Sequence, residues 1–260
     1  GYSNTNVTVG VPGLGDFRIS QGVSGSGIDR MDDMTPNVWE EAYGTGLGHT
    51  IDTVSGASGG SNIELTPSGT PDGLTARLSF SPDVGGSGAS DKGSSGTDTG
   101  VLGAGWDITL EASSDLTGMD GLTLYGGIAS VEVDQALAAF NGDKDEKTLG
   151  AKYAVGGFTL GYQWSEEENG RATTTTKYTN DGYGVTFAVN DDLSIGYNHY
   201  ESAQVNSAGN VTTEATSIQI AYSVGGASVR LADGDVDNAA YQTTAAYDLE
   251  GTVLSVSLAF

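Results

Sequence analysis

Few residues in this chain of 260 are equipped to make or break bonds. There is no cysteine, which excludes thiolate nucleophiles, thiolate metal sites and disulfides. The two histidines, His49 and His199, are too few and too isolated in sequence for a zinc site or a nucleophile–histidine pair. Carboxylate is what the chain has in abundance: 34 acids stand against ten bases, for a formal charge of −24. One segment, 22–61, carries Asp29, Asp32, Asp33, Glu40, Glu41 and Asp52, with Arg30 as its only base. Connections of that length are usually functional or disordered. The stretch "ADGDVDN" sets Asp233, Asp235 and Asp237 at alternate positions, as calcium-binding loops sometimes do. It lacks the following glycine and distal glutamate of an EF-hand, so a solvated loop is the expected reading. No cofactor is expected, Ca2+ on these acidic loops being the one candidate. "GVPGLG" reads as a turn, since no helix follows it.

The elements that position these charges are strands. Two-residue alternation recurs over 5–11, 16–21, 62–66, 74–81, 102–112, 122–132, 148–155, 158–165, 182–189, 193–201, 216–223, 227–232 and 251–260. Only "VDQALAAFNG" has room for a short helix. Connections alternate in length. Tight ones hold "PGLG", "SGTPDG", "DLTGMDG", "NDD" and two "GG" pairs; long ones cover 22–61, 82–101, 133–147, 166–181, 202–215 and 233–250. Aromatic residues sit at both strand ends. Phe17, Tyr153, Phe158, Phe187, Tyr222 and Phe260 lie toward the tight turns, and Phe80, Trp106, Trp164 and Tyr197 toward the long loops. Short turns at one end, long loops at the other and two aromatic girdles predict a transmembrane antiparallel up-and-down β-barrel over 1–260. A strand of about ten residues, tilted near 40°, stands about 25 Å tall, the height of the apolar band. A soluble β-sandwich would alternate too, but gives no reason for rings at both ends.

Composition agrees. No run of eighteen apolar residues is present, so no transmembrane helix is predicted. The mean hydropathy of −0.20 is compatible with a barrel whose strands alternate lipid-facing and lumen-facing residues. An acidic chain is a poor match for nucleic acid. The chain starts at Gly1 without a signal-peptide pattern, so any leader is expected to have been removed or to lie upstream.

Register then nominates the wall of the bore. Arg18, Arg77, Lys152 and Arg230 all fall on the polar face of their strands, as do Glu64, Asp107 and Glu111. A charge on the lipid face at mid-depth costs about 2–4 kcal/mol, so this face points inward. The other six bases are expected in loops. Tyr125 and Tyr200 are aromatic exceptions on the polar face.

Three stretches carry a family resemblance: the ending "LSVSLAF", the run "DFRISQGVSGSGIDRMDDMTPNVWEEAYG" and the hairpin "AYSVGGASVRLAD". Over nearly its whole length the chain resembles a general diffusion porin of Gram-negative outer membranes, of the alphaproteobacterial trimeric type. The resemblance implies a barrel of sixteen strands, about thirteen of them visible here, and a third loop folded inward to constrict the pore. The chain therefore looks as though about three N-terminal strands are missing from it. It also implies a homotrimer in the bacterial outer membrane, crossing it many times, among outer-membrane lipid and lipopolysaccharide. Phe260 would be the signal read by the outer-membrane assembly machinery.

By the same resemblance, loop 22–61 presents Asp29, Asp32, Asp33, Glu40 and Glu41 to the eyelet. Facing them would be wall bases such as Arg18, whose strand leads into the loop. Trp39 and Tyr43 would anchor the loop, and Glu40 or Glu41 could instead pin it by hydrogen bonds. The expected function is passive passage of small hydrophilic solutes and ions, mildly cation-selective, with no enzymatic activity and no nucleic-acid partner. The alternatives are a substrate-selective barrel and a secreted acidic, calcium-ordered adhesin or surface protein.

Overall fold

The structure is a computed structural model that describes residues 5–32, 34–48, 51, 53–58, 60–84, 102–133, 142–170 and 175–258. Its strands are β1 (Thr5–Val11), β2 (Gly15–Gln21), β3 (Ser61–Pro67), β4 (Leu74–Asp83), β5 (Leu102–Ala112), β6 (Leu122–Val133) and β7 (Lys144–Val155). They continue as β8 (Phe158–Glu168), β9 (Thr175–Ala188), β10 (Leu193–Asn206), β11 (Val211–Val224), β12 (Ala227–Asp237) and β13 (Leu249–Leu258). All thirteen form one sheet in chain order, each antiparallel to the next. Among the described residues no pairing joins β1 to β13.

Alternation dictates this arrangement. Val7, Val9, Ile19, Leu78, Ile108, Leu149, Leu160, Ile195, Ile218 and Leu254 all project from one face and stay exposed, with Leu149 and Leu254 reaching 63%. Their neighbours on the opposite face are mostly small or polar and mostly covered. The sheet is thus dry outside and polar inside, the reverse of a water-soluble fold. The aromatic residues of the two girdles fall on the outward face, where Phe158 and Phe187 stack with centroids 4.4 Å apart. No helix among the described residues is long and apolar enough to cross a membrane. Tight turns follow local chemistry: Gly156 and Gly157 have φ of 56° and 86°, and Gly225 and Gly226 have 55° and 85°. Positive φ at both central residues is what a two-residue hairpin with the right twist requires.

The strands overrun their predicted ends at the long-loop side. β9, β10 and β11 each have 14 residues, so the expected loops 166–181 and 202–215 shrink to 169–174 and 207–210. Fourteen residues tilted near 40° stand about 35 Å tall, about 10 Å more than the apolar band. Beyond that band the outward face turns charged and apolar alternation vanishes, which is why the sequence pattern stops early. Two corrections follow. Asp233, Asp235 and Asp237 belong to β12, not to a loop, and project outward about 6.6 Å apart at strand spacing, too spread to converge on one calcium ion. Lys144 and Lys147 lie on β7 and Lys177 on β9, rather than in loops. Asp33, Asp52, His49, Phe260 and residues 134–141 of the short-helix candidate fall outside the described residues.

Candidate functional site

The connection from β2 to β3, residues 22–60, lies against the inner face of the sheet. Its outgoing arm reaches far along the wall. A single 3-10 turn, Gly27–Met31, touches β4 to β7, and a second, Ala42–Gly44, touches β10 and β11. Between them, Gln163 of β8 donates to the carbonyl of Met31 at 2.6 Å. Further on, Asn198 of β10 and Gln219 of β11 donate to the carbonyl of Glu40, at 3.2 and 2.5 Å. Gln219 Oε1 in turn accepts from the N–H of Trp39 at 3.0 Å. Leu47 then packs over β13. The return arm brings Val54 back against Ile28 and Ala129.

Inward glycines make the seat. A Cβ on Gly161 or on Gly184, directly paired across β8 and β9, would collide with Pro36. One on Gly196 would lie 3.3 Å from Val38, and one on Gly251 would lie 3.1 Å from Leu47. Glycine in a strand interior weakens it, and here each marks a close approach by another segment. The track runs under the arm from β8 to β13.

Carboxylates clamp the root and the return arm. Glu64 accepts from the N–H of Gly27 at 2.8 Å and from Ser79, and forms an ion pair with Arg30. Asp107 accepts from the N–H of Ala57 at 3.1 Å. Glu146 accepts from the N–H groups of Ser55 and Gly56, at 3.1 and 2.5 Å. Lys144 bridges Glu146 and Glu167 at 2.7 and 2.8 Å and donates to Ser55 Oγ at 3.2 Å. Burial strengthens such charge-assisted hydrogen bonds, because water no longer competes for either partner.

The sequence-predicted residues distribute as follows. Glu64 and Asp107 face inward as register requires, but lie under the loop, 4% and 1% exposed. Among the loop acids, Asp29 accepts from Gly25 N–H and Ser58 Oγ, and Glu41 is buried with Asn37 as donor. Asp32 is half-buried, and Glu40 keeps its side chain exposed. Tyr43 packs edge-on against Tyr200 at 4.6 Å, within a buried cluster that joins Ala42 to Ala215 and Val236. Trp39 is held through its backbone. Of the wall bases, Arg18 donates to the carbonyl of Gly25 at 3.1 Å, and Lys152 Nζ lies 3.9 Å from Met34 Sδ. Arg77 and Glu111 are half-buried and Arg230 is exposed, all on the inward face. Tyr125 also faces inward, donating to Gln163 at 3.1 Å.

Sequence reasoning missed Glu146, Lys144, Gln163, Asn198 and Gln219. Gln163, Asn198 and Gln219 are polar at alternate positions of an apolar-patterned run, which was the available signal, whereas Lys144 and Glu146 alternate with Asp145 and Lys147 and carry no such mark. It also treated His199 as isolated. In the sheet His199 and Glu201 share the outward face of β10, with Nε2 to Oε1 at 3.0 Å, and Glu214 stands directly opposite Glu201. Ligand-type atoms of these three lie within 4.8 Å of one another.

The inner surface can therefore present fixed charge to water beside a wall-bound loop. No protein-family model matches the chain, and no curated protein matches it in sequence. Solved structures do match in fold. An anion-selective porin from Comamonas acidovorans aligns over 98% of this chain and 76% of its own, at 13% identity and a TM-score of 0.63. OmpF of Salmonella typhi, solved with daunomycin, aligns over 93% and 74%, at 15% identity and a TM-score of 0.64. A mutant of the Rh. blastica porin aligns over 98% and 76%, at 16% identity and a TM-score of 0.54. These likenesses show the fold: an all-β antiparallel sheet that resembles the barrels of the porin family, consistent with an outer-membrane location.

Proposed function

We propose that this protein is a trimeric outer-membrane porin through which small hydrophilic solutes and ions diffuse passively, with mild cation preference. The observation that carries the reading is loop 22–60, laid along the polar inner face of a sheet whose outer face is apolar. A segment fixed there narrows the water-filled space, and its charges act on whatever passes. Acids dominate that surface. Asp16, Asp29, Asp32, Glu40, Glu41, Glu64, Asp107, Glu111, Glu146 and Glu167 face inward or lie on the loop, and Arg18, Arg30, Arg77, Lys144, Lys152 and Arg230 offset only part of them. Opposed charges across a narrow bore set up a transverse field that polar solutes tolerate better than apolar ones. No bond need be made or broken. In this reading the partners are two further copies of the chain, outer-membrane lipid and lipopolysaccharide, and the assembly machinery acting on the terminal strand.

The test is single-channel conductance of the full-length protein in a planar bilayer, with the reversal potential read under a KCl gradient. Steps in threes with a cation-selective reversal potential are expected. Absence of conductance from inserted protein would overturn the open pore, and an anion-selective potential would overturn the charge assignment. High salt should flatten the preference, since the Debye length is about 8 Å at physiological ionic strength and about 3 Å at 1 M.

A further inference from the structure

We propose that His199, Glu201 and Glu214, on the outward face of β10 and β11, bind one divalent transition-metal ion of the Zn2+ class. The inference stands apart from the pore reading, since it needs neither conductance nor a closed barrel. Pairing brings the three together. His199 and Glu201 are alternate residues of β10 and share a face, and Glu214 of β11 is directly opposite Glu201. One ligand-type atom from each lies within 4.8 Å of the other two, and His199 Nε2 is already 3.0 Å from Glu201 Oε1. Zinc with bonds of about 2.1 Å spaces tetrahedral ligands about 3.4 Å apart. Closing the site therefore takes a movement on the order of 1 Å, by glutamate side chains that are exposed.

The imidazole separates this set from a row of acids. Its side chain is only 10% exposed although it projects outward. Tyr183, paired with His199 across β9 and β10, stacks on the ring with centroids 4.8 Å and planes 26° apart. The ring is thereby held with Nε2 toward Glu201 before any ion arrives, so little side-chain freedom is lost on binding. Nitrogen donors suit zinc, copper and nickel, whereas Mg2+ and Ca2+ take oxygen. The charge fits as well: a neutral imidazole and two carboxylates carry two negative charges, which a divalent ion cancels. Among the described residues no lysine or arginine forms an ion pair with Glu201 or Glu214. Asp181 and Asp237 end the same row outside the 4.8 Å set, where they add attraction without a bond. Three protein ligands leave a fourth position for water.

The experiment titrates Zn2+ into the full chain in detergent, stripped beforehand with chelator, by isothermal calorimetry with millimolar Mg2+ present to occupy the acidic row. One equivalent of Zn2+ per chain is expected. Altering an outer partner of a metal ligand already costs about 10–100-fold in affinity, so His199→Gln and Glu214→Gln should each weaken binding by at least about tenfold. Asp237→Asn, in the same row but outside the set, and His49→Gln, the other histidine of the chain, should leave it unchanged. Co2+ supplies a second readout: its visible absorption in the wild type should change in His199→Gln, which removes the nitrogen ligand. No stoichiometric binding, displacement by millimolar Mg2+, an undiminished affinity in Glu214→Gln, or a loss in Asp237→Asn or His49→Gln equal to that in Glu214→Gln would overturn the proposal. Glu214 is exposed, so its variant keeps the test decisive even if His199→Gln misfolds.

Discussion

Glu146 of β7 holds Gly56 of the loop from below: the Gly56 N–H donates to Oε2 at 2.5 Å, and the Ser55 N–H reaches the same oxygen at 3.1 Å. The Glu146 side chain has no solvent exposure, so nothing from water replaces it if it is altered. Glu146→Gln should weaken the seat of the return arm by about 1–3 kcal/mol, the usual cost of a lost buried partner. Single-channel current should become noisier, and protease should cut within 22–60 faster. Unchanged noise and cleavage would show that the arm is held elsewhere.

Gly184 has no room for a side chain, because a Cβ there would meet the carbonyl oxygen of Pro36. Gly184→Val should push the outgoing arm off the wall and into the bore, at about 1–3 kcal/mol of overpacking. A lower thermal midpoint together with a lower unitary conductance is expected. Gly142→Ala, with no atom within 4 Å of the added Cβ, is the control that should leave both unchanged.

Four outward carboxylates stand in one pairing row across β9–β12: Asp181, Glu201, Glu214 and Asp237. Neutralising one of the middle pair relieves repulsion. Glu214→Gln should raise stability in chelator by about 0.5 kcal/mol. Millimolar Mg2+ should shrink the difference, because a divalent ion screens the row in the wild type. Thermal unfolding in detergent reads both effects, and a destabilised variant in chelator would count against the repulsion.

Arg230 and Glu40 are exposed charges of opposite sign, one on the inner face of the wall and one on the loop. Arg230→Gln should move the reversal potential toward stronger cation preference, and Glu40→Gln should move it the other way. Both shifts should fade in high salt. Shifts of the same sign would place at least one of the two outside the ion path.

The strands were legible because one side of each meets an apolar medium and the other does not, so Leu193, Ile195 and Tyr197 announce β10 at once. The pattern fails beyond His199, where the same face carries Glu201 and hydropathy no longer alternates although the backbone still pairs. Wall orientation was legible too, since Arg18, Arg77, Lys152 and Arg230 had one polar face to occupy. The covering of Glu64 and Asp107 was not. It depends on contacts between loop and wall across 37 and 50 residues of chain. The role of Gly161 and Gly184 was hidden for the same reason, since a glycine in a strand says that something comes close and not what it is.

The seat of the loop is synthesised after the loop. Gln219, which grips Glu40 from both sides, follows it by 179 residues. Contacts so distant in sequence cost loop-closure entropy before they return anything, and they slow folding. Until β11 to β13 join the sheet, the outgoing arm lacks the grip of Gln219, Tyr43 has Tyr200 of β10 but not Ala215 and Val236 beside it, and Leu47 lacks its neighbours on β13. Narrowing of the interior is therefore among the last events of assembly: an incomplete wall holds a loose plug, and only the finished one holds a calibrated aperture.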